Sequence, residues 1–350
     1  DGNPSNIRLG YALGAGIDYR LDSRWSARAE YLYTKLGWTG FNFASAPSRY
    51  DSQYDLQRVR FGLNYRFGQP EEDNEKADDR GPGSFEVHGQ SVFVYQGYPP
   101  IRALYDGPNS LPAVGQSRET WGLSGFLGVR LWNGGELYYN PELLQGYGVA
   151  LSTGAGGFPN GEAQRAFPYP RYNTSRLYLR QTFGLGGERE KVESDLGQLS
   201  GERDISRISI YAGKYAVQDF FDNNAYANDP RVDFLNWSIW GAGAFDYPAD
   251  NVGFTWGLTA ELNQPNWAVR AGYFLVANQP DTNVYDLDII NRSGIVGELE
   301  LRYQPFDRKG TTRLGVWATR AWAGSYTDAV ALIPQNPGLN ANDTIPLTRR

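Results

Sequence analysis

Apolar and polar side chains alternate with a period of two along most of this 350-residue chain. The clearest example is the stretch RVRFGLNYRF at residues 58–67, where one set of alternate positions is apolar and the other is charged, polar or small. Successive side chains of a β-strand point to opposite faces, so the pattern predicts strands with one apolar and one polar face. Residues 7–20 show the same pattern, and residues 25–35 show it less regularly.

The alternation resumes beyond Ser84, and we predict about ten strands there in addition to about three before residue 67. The later predicted strands are 84–96, 121–132, 136–140, 176–183, 207–214, 237–245, 253–262, 267–277, 294–303 and 312–322. Closed bacterial barrels normally have an even number of strands, and the chain ends at LTRR without a terminal aromatic strand. We therefore expect either that residues beyond Arg350 complete the protein or that one or two strands are wrongly assigned.

The connections between the predicted strands are of two kinds. Tight-turn sequences occupy 133–135, 263–266 and 304–310, whereas 141–175, 184–206, 215–236 and 278–293 are long and rich in Gly, Pro, Asn and Asp. Short turns at one rim and long loops at the other are typical of an outer-membrane barrel. The sequence thus predicts an all-β fold, a transmembrane antiparallel β-barrel.

The composition agrees with such a barrel. The mean hydropathy of −0.53 and the lack of an apolar run of 18 residues argue against a bundle of membrane helices. A transmembrane barrel alternates lipid-facing and lumen-facing residues, so its mean hydropathy resembles that of a soluble protein while its aromatic and glycine content is high. Aromatic residues make up 15% of this chain, and there are 42 glycines.

A charged run, GQPEEDNEKADDRGPGS, follows Phe67 and predicts a solvated linker at 68–83. We therefore predict three parts: barrel-like strands at 1–67, the linker, and a further, incomplete barrel at 84–350. In its strand pattern, the first part resembles the last strands of small opacity-type outer-membrane barrels.

Several function classes are excluded by residue counts. The chain has no cysteine and one histidine, His88, which argues against thiol chemistry, Cys/His zinc sites and Ser-His triads. Its net charge of −6 argues against a nucleic-acid partner. No cofactor or metal is predicted.

Three blocks resemble the carbohydrate-selective porins, the glucose-porin family of bacterial outer membranes. They are GELYYNPELLQGYGVALSTGAGGFPNGEAQR at 135–165, RLYLRQTFGLGGE at 176–188 and GKYAVQDFFDNNAYANDPRVDFLNW at 213–237. They occur in the order expected for the family, and the resemblance covers about residues 84–350. It implies a barrel of sixteen strands when complete, which passes sugars by diffusion through a constriction of inward-folded loops and wall charges. It implies no catalysis, and it is compatible with a homotrimer surrounded by outer-membrane lipids.

Alternation also predicts which charges face the interior of this barrel. If the apolar set faces lipid, where a midplane arginine costs ~2–4 kcal/mol, the opposite set points inward. The predicted inward charges are Arg130, Arg176, Arg180, Arg207, Glu261, Arg270, Glu298, Glu300, Arg302 and Arg313. They could form a constriction that orients sugar hydroxyls, or they could be wall charges paired with each other.

The loop 215–236 mixes acids and amides with aromatic residues, which together offer hydrogen bonds to sugar hydroxyls and flat surfaces to sugar C–H groups. Its candidate residues are Asp219, Asp222, Asn223, Asn224, Asn228, Asp229 and Asp233. Direct sugar contact and anchoring of the loop to the wall are both open. A calcium site is a third alternative, although Ala227 stands where a calcium loop has glycine and the final glutamate is missing. A glycosidase pair at Asp219 and Asp222 is a fourth.

Together with the alternating strands, the family resemblance implies an outer-membrane channel for passive, selective diffusion of glucose-like monosaccharides. Two alternatives are a structural barrel plugged by residues 1–83 or by the long loops, and a secreted carbohydrate hydrolase on a soluble β scaffold.

Overall fold

The computed structural model describes most of the chain. The described residues are 9–22, 25–42, 49–65, 83–107, 110–152, 160–162, 167–231, 233, 236–237, 240–242, 245–250, 252–279, 282–336, 338–339 and 341–350.

Twelve strands of the described chain form a single antiparallel sheet in which neighbours in sequence are neighbours in space. The exception is a small hairpin, β8–β9, which interrupts the series between β7 and β10. The strands are β1 (Gly10–Arg20), β2 (Trp25–Asn42), β3 (Arg49–Tyr65), β4 (Phe85–Tyr98), β5 (Gln116–Trp132), β6 (Gly135–Gly146), β7 (Arg171–Gly184), β8 (Arg189–Val192), β9 (Gly201–Asp204), β10 (Arg207–Tyr215), β11 (Thr255–Gln264), β12 (Trp267–Phe274), β13 (Ser293–Tyr303) and β14 (Gly310–Arg320). The predicted all-β antiparallel fold is confirmed.

The distribution of side chains over the two faces of this sheet is the reverse of that in a soluble protein: apolar side chains are exposed, and polar and charged ones are buried. On β10, Ile208 and Ile210 are 37% and 36% exposed, whereas Arg207 and Ser209, at the alternate positions, are 8% and 1% exposed. We call the face with exposed apolar residues the outer face and the opposite one the inner face. Apolar side chains on the outer face suit lipid, and buried polar groups on the inner face require hydrogen-bond partners.

Tight turns join the strands at one rim. The predicted turn at 133–135 lies between β5 and β6, where Gly134 has φ +71°. A Cβ atom at Gly134 would lie 2.2 Å from the carbonyl oxygen of Thr182, so both the backbone conformation and the close approach require glycine. β11–β12 and β13–β14 are also joined by short turns, as predicted.

The N-terminal strands join the same sheet through the pairing of β3 with β4. Among the described residues these two strands pair at three positions, Phe61 with Phe93, Gly62 with Val92 and Leu63 with Ser91, whereas β4 pairs with β5 at fourteen. Of the predicted linker 68–83, only Gly83 belongs to the described residues.

One predicted strand is wrong. The described residues of 237–245 form bends and turns in the connection between β10 and β11, not a strand. The Trp237 and Trp240 rings lie 4.4 Å apart, and the Phe245 ring lies 5.1 Å from that of Trp317. These aromatic residues thus pack against each other and against β14. Without this segment the thirteen predicted strands become the twelve of the sheet.

A second difference lies in residues 184–206, predicted as an irregular loop. This segment contains the hairpin β8–β9, whose two strands have four residues each and are mostly charged. So few residues carry no clear alternation, which explains why the hairpin was not predicted.

Beyond β14 the chain folds into two short helices, α1 (Tyr326–Leu332) and α2 (Ala341–Thr344). The Ser325 hydroxyl caps α1 by accepting a hydrogen bond from the backbone N–H of Asp328, and the Thr348 hydroxyl accepts from the backbone N–H of Ser325. Within the described ranges, no helix has the length and apolar character needed to cross a membrane.

Candidate functional site

The connection between β10 and β11, residues 216–254, lies across the inner face, and we call it the crossing loop. On one side the Arg231 guanidinium contacts Glu142 of β6 at 2.8 Å. On the other side the backbone N–H of Asp222 donates to Glu298 of β13 at 2.7 Å. Since β6 and β13 are separated by β7, β10, β11 and β12 in the sheet, a segment that contacts both spans the inner face of six strands.

Asp219 anchors the start of the crossing loop to β7. Its carboxylate accepts hydrogen bonds from Nε and Nη2 of Arg176 at 2.8 and 2.6 Å, and from the backbone N–H of Ala216 at 3.0 Å. Arg176 also donates to Asn140 on β6 at 2.9 Å. This bidentate geometry is the strong form of a carboxylate–arginine contact. It corresponds to the anchoring alternative for Asp219.

Asp222 stabilises a bend of the crossing loop three residues after Asp219. Its φ of +53° is unusual for a residue other than glycine, and its carboxylate accepts a hydrogen bond from the backbone N–H of Ala242 at 2.5 Å. The preceding Phe221 is 1% exposed and contacts the Phe274 ring edge-on, with centroids 6.0 Å apart. Asp222 therefore shapes the loop where it meets β12 and β13.

The remaining candidates of the loop have different surroundings. Asn223 and Asn224 are exposed, and Asn224 accepts a hydrogen bond from the backbone N–H of Tyr226. Asp233 accepts from the backbone N–H groups of Asn228 and Asp229 at 2.9 and 3.1 Å. The side-chain oxygen of Asn228 is buried and has no hydrogen-bond partner among the described residues.

No group of three or more acidic, histidine or cysteine side chains within the described part of the chain is arranged to hold a metal ion. The carboxylate of Asp233 is occupied by backbone N–H groups, and that of Asp222 by Ala242.

A charge cluster covers the inner face of β11 to β14. Arg270 lies 2.6 Å from Glu261, 2.7 Å from Glu298 and 3.0 Å from Glu300. Arg302 and Arg313 contact Glu300 as well, at 2.6 and 2.9 Å. Sequence alternation predicted all six as inward residues, and the structure brings them together as three cations with three anions. The cluster matches the alternative in which wall charges pair with each other.

A second cluster lies on β5, β6 and β7. Glu136 contacts Arg180, lies 3.6 Å from Arg130, and accepts a hydrogen bond from the Tyr138 hydroxyl at 2.8 Å. The Arg180 guanidinium lies 5.3 Å from the centre of the Tyr138 ring, within the range of a cation–π contact. Nε of Arg180 is buried and, among the described residues, makes no hydrogen bond.

The hairpin β8–β9 packs on the inner face beside this second cluster. The Ser200 hydroxyl donates to Glu86 at 2.5 Å, Arg130 donates to the Ser200 carbonyl at 3.0 Å, and Arg207 contacts Glu190 at 2.9 Å. Because consecutive strands are antiparallel, the hairpin enters from the short-turn rim and the crossing loop from the opposite rim.

The two inserts meet in one cluster of buried residues. The cluster contains Leu199 from the hairpin and Phe221 from the crossing loop, together with Tyr138, Tyr178, Tyr211, Tyr215, Val217, Phe274 and Val296. The Phe220 ring packs against it, 4.1 Å from that of Tyr211. The interior is thus lined by charged clusters and aromatic rings, with inserts from both rims.

Sequence reasoning missed three contacts that hold the loops. Arg231 contacts Glu162 as well as Glu142, and Lys214 contacts the buried Asp250 at 2.8 Å. Alternation along β6 would have placed Glu142 inward with Glu136 and Tyr138. Nothing in the sequence singles out Glu162 or Asp250, which lie in loops.

The chain is similar to several known proteins. The OprB family of carbohydrate-selective porins matches residues 128–348. The 31 kDa outer-membrane immunogenic protein of Brucella melitensis is 38% identical over 61 residues, which are 17% of this chain and 25% of that protein. The 25 kDa outer-membrane immunogenic protein of Brucella abortus is 33% identical over 63 residues, 18% of this chain and 29% of that protein.

Among solved structures, Pseudomonas putida OprB at high pH has a TM-score of 0.46 with 12% identity, covering 70% of this chain and 54% of that chain. The chain thus spans between about a quarter and about half of the length of these proteins.

The predicted family resemblance is confirmed over residues 128–348. Members of this family are channels and not enzymes, which removes the hydrolase alternative, and they reside in the bacterial outer membrane. Because the match extends over more than half of the sequence, this chain belongs to the carbohydrate-selective porin family.

Proposed function

We propose that the chain forms an outer-membrane channel for passive diffusion of glucose-like monosaccharides through a constriction. The constriction is bounded by the crossing loop, by the hairpin β8–β9 and by the two charge clusters. The observation that carries this proposal is the position of the crossing loop, which contacts Glu142 on β6 and Glu298 on β13 and therefore lies across the inner face. A loop in this position narrows the passage that a solute takes.

The chemistry of the inner face suits a sugar. Sugar hydroxyls need both donors and acceptors, and the exposed amide side chains of Asn223 and Asn224 on the crossing loop offer both. The partly exposed ring of Phe220 offers a flat surface to sugar C–H groups.

The proposal is tested by liposome swelling with the reconstituted chain. We expect faster swelling with glucose than with uncharged non-sugar solutes of similar size, and protein-free liposomes serve as the control. Equal rates for both solutes would contradict selectivity, and rates equal to those of protein-free liposomes would contradict the channel.

A plugged structural barrel is the second candidate, because the hairpin and the crossing loop share one buried cluster through Leu199 and Phe221. Single-channel recording separates the two. Discrete conductance steps support the open channel, whereas a tight membrane in the presence of correctly folded protein supports the plug.

A further inference from the structure

Arg231 joins three separate elements at the β6 side of the interior. Its Nη2 donates to Oε1 of Glu142 at 2.8 Å, and its Nε lies 3.1 Å from both carboxylate oxygens of Glu162. Glu142 belongs to β6, and Glu162 to the connection between β6 and β7, so Arg231 ties the crossing loop to the wall and to a second loop. All three side chains are largely buried, with exposed fractions of 13%, 2% and 12%.

We propose that Arg231 is a positioning residue of the channel, which fixes how closely the crossing loop lies to the β6 wall and thereby sets the width of the passage. This inference rests on the proposed function. Arg231 acts through the loop, since its guanidinium is occupied by two carboxylates.

We call the contacts of Arg231 with Glu142 and Glu162 the clamp. Glu142, the member of the clamp that lies on the wall, is held firmly in place. The Glu142 carboxylate accepts hydrogen bonds from the hydroxyls of Ser124, at 2.5 Å, and of Ser175. Ser124 lies on β5 and Ser175 on β7, so Glu142 is held from both neighbouring strands. A charged group that is buried and fixed in this way is costly to leave without its cation, so the loop is drawn to one position. A planar guanidinium can bind two carboxylates at once, whereas a lysine ammonium offers a single point of charge.

Glu162 makes the clamp sensitive to acid. Burial raises the pKa of Glu162, and the nearby carboxylates of Asp229 and Glu142 raise it further, while Arg231 opposes them. These charged groups come from the crossing loop and from β6. As the pH falls through this raised pKa, Glu162 becomes neutral, and Arg231 keeps its charge contact with Glu142 alone. The loss of this charge contact loosens the loop. The sheet does not unfold, because a raised pKa means that the folded protein binds the proton on Glu162 more readily than the unfolded chain does.

Single-channel recording of Arg231→Gln, Arg231→Lys and Glu162→Gln tests the clamp, with Arg308→Gln as the matched control. Arg308 is exposed in the turn between β13 and β14, at the opposite rim. For Arg231→Gln we expect higher conductance and a roughly tenfold rise in the time spent in wider substates, which corresponds to about 1.4 kcal/mol. Arg231→Lys should restore part of the wild-type behaviour.

The pH profile gives a readout that a merely structural residue would not change. Wild-type channels should widen on acidification, and Glu162→Gln channels should be wide at neutral pH and respond little to acid. Hydrogen exchange of residues 216–231 is measured in the same variants, and it should be faster in Arg231→Gln than in Arg308→Gln. Conductance, pH profile and exchange that all match the wild type would overturn the clamp. If the wild-type chain itself fails to conduct, the proposed function is wrong, and the exchange rates alone decide the clamp.

Discussion

Asp219 and Arg176 form a two-point contact between the crossing loop and β7, with N–O distances of 2.8 and 2.6 Å. The two residues are 43 positions apart in the sequence, and the Arg176 guanidinium also lies 5.1 Å from the centre of the Phe254 ring. One arginine thus contacts both the beginning and the end of the crossing loop. The loop is held in place by the wall charges that alternation turns inward.

Asp219→Asn should loosen this anchor. Asparagine keeps the size of the side chain but loses the charge, so Arg176 retains at most one weak hydrogen bond. We expect a loss of about 2–3 kcal/mol, below the value for a fully buried pair because both side chains are about a fifth to a quarter exposed. Thermal unfolding in detergent measures the loss, and the block of ion current by glucose should weaken in parallel.

Asp307→Asn is the matched control, since Asp307 is exposed in the turn at the opposite rim. If both variants unfold at the same temperature and show the same block, the anchor has no role in holding the loop.

Arg270→Met should destabilise the sheet more than Arg313→Met does. Arg270 contacts three glutamates, and its removal leaves Glu261 and Glu298 on the inner face without their cation. Breaking a buried pair from one side costs ~3–5 kcal/mol. Arg313 contacts Glu300 alone, which also keeps Arg302, so the second variant should cost roughly a quarter as much. The unfolding temperatures of the two variants give the comparison, and equal shifts would mean that Arg270 is not the centre of the cluster.

The alternation of apolar and polar positions was enough to predict which residues of many strands lie on the inner face. It assigned Arg207 to the inner face and Ile208 to the outer face, because the period of two is a property of the strand itself and needs no knowledge of its neighbours. It also placed Arg270 and its three glutamates on one face. Pairing between adjacent strands, such as Arg270 opposite Glu298, then follows from the register.

The contacts of the loops could not be predicted in this way. Arg231 and Glu142 are 89 residues apart, and no periodic pattern links a loop residue to its position on the wall. The hydrophobic pattern of residues 237–245 resembles that of a strand, because a loop that packs on itself and against the sheet also has hydrophobic residues at intervals. Conversely, the short charged strands of the hairpin β8–β9 carry too few residues for a recognisable period.

The connection between β12 and β13, residues 275–292, should lose order only in strong acid. Asp286 accepts hydrogen bonds from Arg292 at 2.7 Å and from the backbone N–H of Asp288 at 2.9 Å, and these contacts hold its pKa below the usual 3.8. A lowered pKa stabilises the fold above the ordinary value, and the stabilisation is lost as the pH falls through the lower one. The protection factor of this connection, which is the intrinsic exchange rate divided by the observed rate at the same pH, should be constant from about pH 5 to 8 and lower below about pH 4.

Asp286→Asn should show the lower protection factor already at neutral pH, whereas Asp307→Asn should leave it unchanged. A protection factor in the wild type that falls steadily between about pH 8 and 5 would contradict the assignment of this carboxylate.

Leu258→Arg distinguishes a lipid environment from water on the outer face. Leu258 lies near the middle of β11, is 52% exposed, and pairs across the sheet with Ala212 and Tyr273. In water, arginine at a half-exposed position would cost little, since its charge would stay hydrated. In lipid the same change costs ~2–4 kcal/mol near the midplane. We therefore expect a lower yield of folded protein in liposomes for Leu258→Arg, and a nearly unchanged yield for Leu258→Ala. Equal yields for both variants would mean that water, not lipid, surrounds this face, because a lipid-facing strand cannot accept a charge as readily as a methyl group.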